Sequence, residues 1–353
     1  METWTTGRGM AMATTTARFG THARTPMRSR GARRNGRKRN GTANAGNGHA
    51  LEGASSAKLW FMAVKPPMYS VAIVPLCVGA ACAKFCAAKF ETARFWMAML
   101  GCVLTIAWLN LSNDAFDADT GVDVNKPESV VNLLGSKNLV LAIAWTSLLV
   151  GVSLFLRIST HAGDPSVLLK LLLAILLGYM YQGPPFRLSY KGLGEPICFL
   201  TFGPLATSAF FSLQLPGQPV PSTTWAASVL VGITTSVILF CSHFHQIVED
   251  RAVNKFSPIV RLGTKHAAEV LQWSVGIFFA LQVVFCTIGW LPLTCGATML
   301  PGMVLGKKLI DFVRAKHDLA KEVFVSKYIA VRWHSLQGLL LVAGLLWAGR
   351  PPA

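Results

Sequence analysis

The segment NLSNDAFDADTGVDVNK, residues 110–126, directly follows an apolar run and carries four aspartates and three asparagines in seventeen positions. At about 100° per residue, Asn110, Asn113, Asp114 and Asp117 share one stripe of a helix, while Asp119 falls on the far side. An ionised aspartate at the centre of a bilayer costs roughly 2.5–3.5 kcal/mol on insertion scales. If the apolar run is a membrane helix, the stripe must therefore face a polar cavity or the interface, so the nature of that run decides the fold.

Composition answers the question. Of 353 residues, 52% are hydrophobic and 14% charged, against about 25% charged in an ordinary soluble domain. The formal charge is +17, but ten of the bases and a single acid, Glu2, lie within residues 1–50. Beyond residue 50 there are 23 Lys and Arg against 15 Asp and Glu. The basicity belongs mainly to the tail, which argues against nucleic-acid binding. Residues 1–55 are rich in Arg and Thr, nearly acid-free, and without the apolar core of a secretory signal. That pattern predicts a disordered organellar transit peptide ahead of a membrane domain over 56–353.

Nine stretches are long and apolar enough to span a bilayer: 68–88, 93–113, 138–157, 165–182, 195–214, 223–244, 266–287, 289–306 and 333–350. The expected fold is all-α, a polytopic membrane protein of nine helices around a central cavity. The seventh and eighth stretches meet at Gly289-Trp290-Leu291-Pro292, a turn signal that predicts a helical hairpin. Nine spans put the N-terminus and the loops after spans 2, 4, 6 and 8 on one side. Those loops hold most of the body's bases, Lys126, Arg187, Lys191, Arg251, Lys255 and Arg261 among them, while the other side has Lys84, Lys89, Arg94, Arg157 and Arg350. By the positive-inside rule the basic side faces cytosol, matrix or stroma.

A second acidic cluster closes span 6 on that same side: HFHQIVEDRAVNK, residues 243–255. On a continuous helix His243, Gln246, Glu249, Asp250 and Asn254 share a face. Hard oxygen ligands with bases nearby suit Mg²⁺ and a diphosphate, because Mg²⁺ takes one or two carboxylates and completes its shell with phosphate oxygens and water. A metal between the acids also reverses their repulsion of a polyanion. His243 and His245 have no third soft ligand beside them and read as hydrogen-bonded interfacial residues. The eight cysteines all sit in apolar stretches without a CxxC pair and read as small packing residues. Paired acids can also mark an ion pathway, so a transporter or cation channel is the competing class. Its expected sign, interrupted helices in corresponding halves, is not seen in the sequence.

The chain resembles the UbiA-type superfamily of intramembrane prenyltransferases. The first motif there, NDxxD, corresponds to Asn113-Asp114-Ala115-Phe116-Asp117. The strings at 110–135, at 181–195 (YQGPPFRLSYKGLGE) and at 245–263 (HQIVEDRAVNKFSPIVRLG) are similar to the plant and cyanobacterial branch that prenylates 1,4-dihydroxy-2-naphthoate. The likeness extends over about residues 60–350. It departs in the second motif, DxxxD, whose first aspartate is Gln246 here and whose second is Asp250.

The resemblance implies Mg²⁺ held by Asp114, Asp117 and Asp250, with Gln246 as a neutral ligand and Glu249 compensating for the missing charge. Asn113, Asp114, Asp117 and Asp250 become the catalytic group. Asn110, Lys126, Tyr181, Tyr190, Lys191, Gln246, Arg251, Lys255 and Arg261 become candidates for holding the diphosphate or the acceptor. The implied partners are phytyl or another polyprenyl diphosphate, 1,4-dihydroxy-2-naphthoate and the lipid bilayer, in a chloroplast membrane. Homogentisate and 4-hydroxybenzoate are the alternative acceptors.

Overall fold

The computed structural model describes residues 56–120 and 129–348. The segment read as a transit peptide, Lys126, and residues 349–353 lie outside the described residues. Among those described, every regular element is a helix. In order come α1 (Ser56–Val64), α2 (Ser70–Ala87), α3 (Thr92–Thr120), α4 (Val130–Leu134), α5 (Lys137–Ala162) and α6 (Pro165–Gln182). Then follow α7 (Gly194–Leu200), α8 (Ser208–Gln214), α9 (Ser222–His243), α10 (Ile247–Ala252) and α11 (Pro258–Leu262). The last five are α12 (Thr264–Thr287), α13 (Leu293–Ala297), α14 (Leu300–Lys316), α15 (Ala320–Val323) and α16 (Ser326–Ala348). A π-helical turn over Thr201–Thr207, with Pro204 inside it, joins α7 to α8 in one rod.

Among the described residues, eight rods are long and apolar enough to cross a membrane. The ninth, α14, is 17 residues long and gains polarity toward Lys316. This corrects the eighth stretch, expected at 289–306. After Gly289 the chain does not enter a long helix; it folds into α13, whose surroundings bind it to the last rod. Thr294 and Thr298 donate to the carbonyls of Gly344 and Leu340, and Gln282 donates to that of Cys295. Only at Leu300-Pro301 does a long helix begin, Pro301 serving as a first-turn residue that needs no N–H partner.

Sequence-local chemistry sets the tight corners. Gly163 takes φ 71° and closes α5, and the Asp164 side chain then accepts from the Ser166 N–H to open α6. The inner rods meet at small residues. A Cβ on Gly203 would lie 2.7 Å from the Ser228 carbonyl oxygen, and one on Gly79 would lie 2.6 Å from that of Thr207. Such backbone approach is how membrane helices gain dispersion energy without a hydrophobic drive between them. Outward positions are apolar: Leu149, Leu169, Trp273 and Leu339 are each about two-thirds exposed, as lipid-facing side chains are.

Hydrogen bonds between loops keep the alternation read from charge. At one end the loop after α6 binds the loop before α12, through Phe256 N–H to Tyr190 C=O and Arg261 to Lys191 C=O. His317, beyond α14, bonds Thr264 at the same end. At the other end Gln214 bonds Glu91, and Asp164 accepts from Gly217 N–H.

Candidate active site

α3 continues seven residues past the expected limit at 113, so the whole first motif is helical. Ser112 is fully buried and fixes the rotation of this turn, accepting from the Gln182 amide at 2.6 Å while Gln182 also donates to the Leu109 carbonyl. The stripe then points as its spacing requires. Asn110 Nδ2 is buried with no hydrogen-bond partner. Asn113 Nδ2 donates to Asp117 Oδ2 at 2.9 Å. Asp114, fully buried, accepts from Lys65 Nζ at 2.8 Å and from the Val130 N–H at 3.2 Å. Asp119 stands apart, exposed and paired with Lys137.

Lys65 was not singled out by the sequence. Its backbone is left-handed, φ 52° and ψ 52°, a conformation that costs a non-glycine residue roughly 1–2 kcal/mol. Pro66 and Pro67 follow at once and start the 3₁₀ turn Pro66–Tyr69. The one available signal was the prolines: a base immediately before Pro-Pro at the entrance of the first apolar run.

The second motif is divided by a change of helix. α9 ends at His243, a 3₁₀ turn occupies Phe244–Gln246, and α10 restarts at Ile247. The tighter turn breaks the uniform rotation, so the face expected to carry Gln246, Glu249 and Asp250 together does not form. Asp250 turns inward at 2% exposure and pairs with Lys255 at 3.1 Å. Glu249 is exposed and Gln246 half-buried. Glu249 does not share the burial of Asp250: its side chain is exposed on α10. Glu249→Gln should leave the rate of prenyl transfer within about twofold of the parent, as surface changes usually do, measured at saturating metal and substrates.

The bases divide as well. Lys255 is held against Asp250, whereas Arg251 is exposed. Arg261 donates through Nε to the Phe256 carbonyl and through Nη2 to that of Lys191, so its fork joins two loops. Gly192 allows that junction: with φ 73°, a Cβ there would lie 2.7 Å from the Phe256 oxygen. Tyr190 is half-buried with Arg187 against its ring, and Lys191 is exposed.

Tyr181, at the end of α6, is half-buried and packs against the start of α7, where a Cβ on Gly194 would lie 3.0 Å from its ring. Glu195, at the start of α7, reaches His243 Nδ1 at 3.1 Å. This pair too was missed, because each partner looks ordinary in its own segment. A cavity of about 690 Å³ lies at the opposite end, between Phe85, Pro221, Trp290 and Ala348, with no acid or base in its walls.

No three His, Cys, Asp or Glu side chains among the described residues gather as a closed metal site. The donors are instead hard oxygens on α3 and α10, and Asp250 Oδ2 is buried with no partner. That set fits Mg²⁺ shared with phosphate oxygens, an ion that needs few protein ligands, and does not fit a tetrahedral transition-metal centre.

Residues 72–336 match the UbiA prenyltransferase family. The chain is 47% identical over 297 residues to the 2-carboxy-1,4-naphthoquinone phytyltransferase, chloroplastic, of Arabidopsis thaliana, covering 83% of this chain and 78% of the relative. It is 47% identical over 298 residues to the 2-carboxy-1,4-naphthoquinone phytyltransferase of Synechocystis sp., with 84% and 95% covered. The fold superposes on a UbiA homolog from Archaeoglobus fulgidus solved with DMAPP and Mg²⁺, at TM-score 0.55 and 14% identity over 82% of this chain and 98% of that one. The chain belongs to the UbiA prenyltransferase family. It is an enzyme of prenyl transfer, and the transporter and channel readings fall away.

Proposed function

We propose that the protein transfers a phytyl group from its diphosphate to 1,4-dihydroxy-2-naphthoate, with loss of the ring carboxyl as CO₂, in the synthesis of phylloquinone. The observation that carries the reading is the pair of buried aspartates, Asp114 and Asp250, one in each motif and each held by its own lysine. Naphthoquinone phytyltransferases at 47% identity support the acceptor class, and the chloroplastic relative supports a plastid membrane. We place the acidic motifs on the stromal side because the basic loops lie at that end.

Asp114, Asp117 and Asp250 would hold Mg²⁺, with Asn113 and Gln246 as neutral oxygen donors. Bound there with the diphosphate, the metal would supply positive charge where the leaving group develops negative charge. Lys65 and Lys255 stand beside Asp114 and Asp250 at hydrogen-bond distance, and either ammonium can turn to a phosphate oxygen without leaving the site. The prenyl carbons lie along apolar helix surface, where each buried CH₂ contributes about 0.8 kcal/mol.

The relatives are named for the quinone form of the acceptor. An allylic cation needs an electron-rich ring, so the form that reacts here is the dihydroxy acid and the quinone must first be reduced. Detergent-solubilised protein with Mg²⁺ and phytyl diphosphate is offered 1,4-dihydroxy-2-naphthoate, 2-carboxy-1,4-naphthoquinone with and without dithionite, homogentisate or 4-hydroxybenzoate. The expected product, by mass, arises from the dihydroxy acid and from the reduced quinone alone. Product from homogentisate instead would move the protein to another quinone pathway.

A further inference from the structure

Glu195 is a carboxylate with half of its hydrogen bonding accounted for. Oε1 meets His243 Nδ1 at 3.1 Å, and the side chains of the pair are 13% and 3% exposed. Oε2 is buried and has no partner. An acceptor oxygen left in that state has given up its hydration with nothing in return, at a greater cost for a charged group, so a site that keeps one has a use for it. Ser236 fixes the local backbone by donating to the Glu195 carbonyl at 2.9 Å. A Cβ on Gly194 would touch the Tyr181 ring at 3.0 Å, so α7 and α6 are pressed together where the carboxylate sits.

The charges around the site separate two ends. Asp114 and Asp250 each hold a lysine, which suits them to metal and phosphate. Glu195 holds only an imidazole. A diphosphate oxygen has no proton to give Oε2 and would be repelled by it, whereas the hydroxyl of a phenolic acceptor supplies the missing donor. From this asymmetry we infer that Glu195 binds the ring hydroxyl of the aromatic acceptor and takes its proton as the ring attacks, with His243 as the positioning residue.

The step balances. The ring carbon that bears the carboxylate bonds to the allylic carbon using the ring's π electrons, and the carbon–oxygen bond to the diphosphate breaks with its pair leaving on oxygen. The hydroxyl proton passes to Glu195 Oε2, so the ring is left as a neutral ketone instead of an oxygen-protonated cation. When CO₂ departs and the ring regains aromaticity, the carboxyl returns the proton to the ring oxygen. No oxidant or reductant is required.

The inference rests on the naphthoate reading and deepens it, and the test separates the two. Purified full-length protein with Mg²⁺ is assayed for phytylated product with 1,4-dihydroxy-2-naphthoate, and separately for diphosphate released from phytyl diphosphate with no acceptor present. For Glu195→Gln the expected result is a fall in kcat of about a hundredfold, within the range of a lost general base, while donor-only release and donor KM stay within threefold. His243→Gln should lower kcat by about tenfold with the same donor behaviour. Product formation unchanged in Glu195→Gln, or donor-only release lost together with product, would overturn the inference. If Glu195→Gln does not fold, Glu195→Asp carries the test: a carboxylate one methylene short should lower kcat and leave donor-only release intact, and an unchanged kcat would overturn it. A parent protein that makes no product from the naphthoate, yet does from another acceptor, rejects the naphthoate reading. The same variants are then read with that acceptor.

Discussion

Asp117→Asn is expected to lower prenyl transfer by at least about a hundredfold, on the scale of losing one charge-stabilising group from an active site, while the protein melts within a few degrees of the parent. The substitution removes a charge and almost no volume. The Asn113 amide, which donates to Asp117 at 2.9 Å, still finds a carbonyl oxygen on the new side chain. Metal dependence is read in the same experiment: product should vanish in excess chelator and return with added Mg²⁺. Activity of Asp117→Asn within threefold of the parent, or turnover that persists in chelator, would remove the metal-diphosphate mechanism and leave only the fold.

The second large effect separates stability from chemistry. Asp114 is fully buried and Lys65 about one quarter exposed, so Lys65→Met strands a carboxylate in a low-dielectric setting. The expected loss of stability lies toward the lower end of the roughly 3–5 kcal/mol seen when one partner of a buried ion pair is removed. The double variant Lys65→Met/Asp114→Asn should regain most of that loss, because no buried charge remains unpaired, and should remain inactive. Thermal melting in detergent measures the first half and product formation the second. A Lys65→Met protein as stable and as active as the parent would reduce the pair to a surface contact.

Local periodicity carried far in this chain because a membrane helix declares itself by length and apolarity alone. The fourth rod was expected at 165–182 and is found at Pro165–Gln182; the stripe of Asn110, Asn113, Asp114 and Asp117 is carried on α3 as its spacing required. What escaped has two physical sources. A uniform rotation of 100° per residue cannot foresee a 3₁₀ turn, and the turn at Phe244–Gln246 is what sends Glu249 outward. Nor can it foresee partners remote in the chain. Lys65 and Asp114 are 49 residues apart and Glu195 and His243 are 48 apart, and nothing in either neighbourhood names the other. The eighth rod slipped for a third reason: residues 289–299 are apolar enough to belong to a span, but the Thr294 and Thr298 hydroxyls tie them to carbonyls of the last rod.

The π turn at Thr201–Thr207 makes the fifth rod behave like a shaft cut and rejoined one notch out of step. Its upper half delivers Glu195 to His243, and its lower half delivers Gln214 to Glu91 at the opposite mouth of the bundle. An unbroken α-helix between the same two points would lack the extra residue that a wide turn accommodates. A π turn advances less per residue than an α turn, so these seven residues rotate the chain through about the angle of six in an α-helix and the extra one is absorbed. Forcing all seven into α-helix would rotate one half by about 100° against the other. Whichever end stayed docked, the other would arrive facing the wrong neighbour. The segment is therefore a length gauge for the whole molecule, and a further residue inserted here should not be tolerated as one in a loop is.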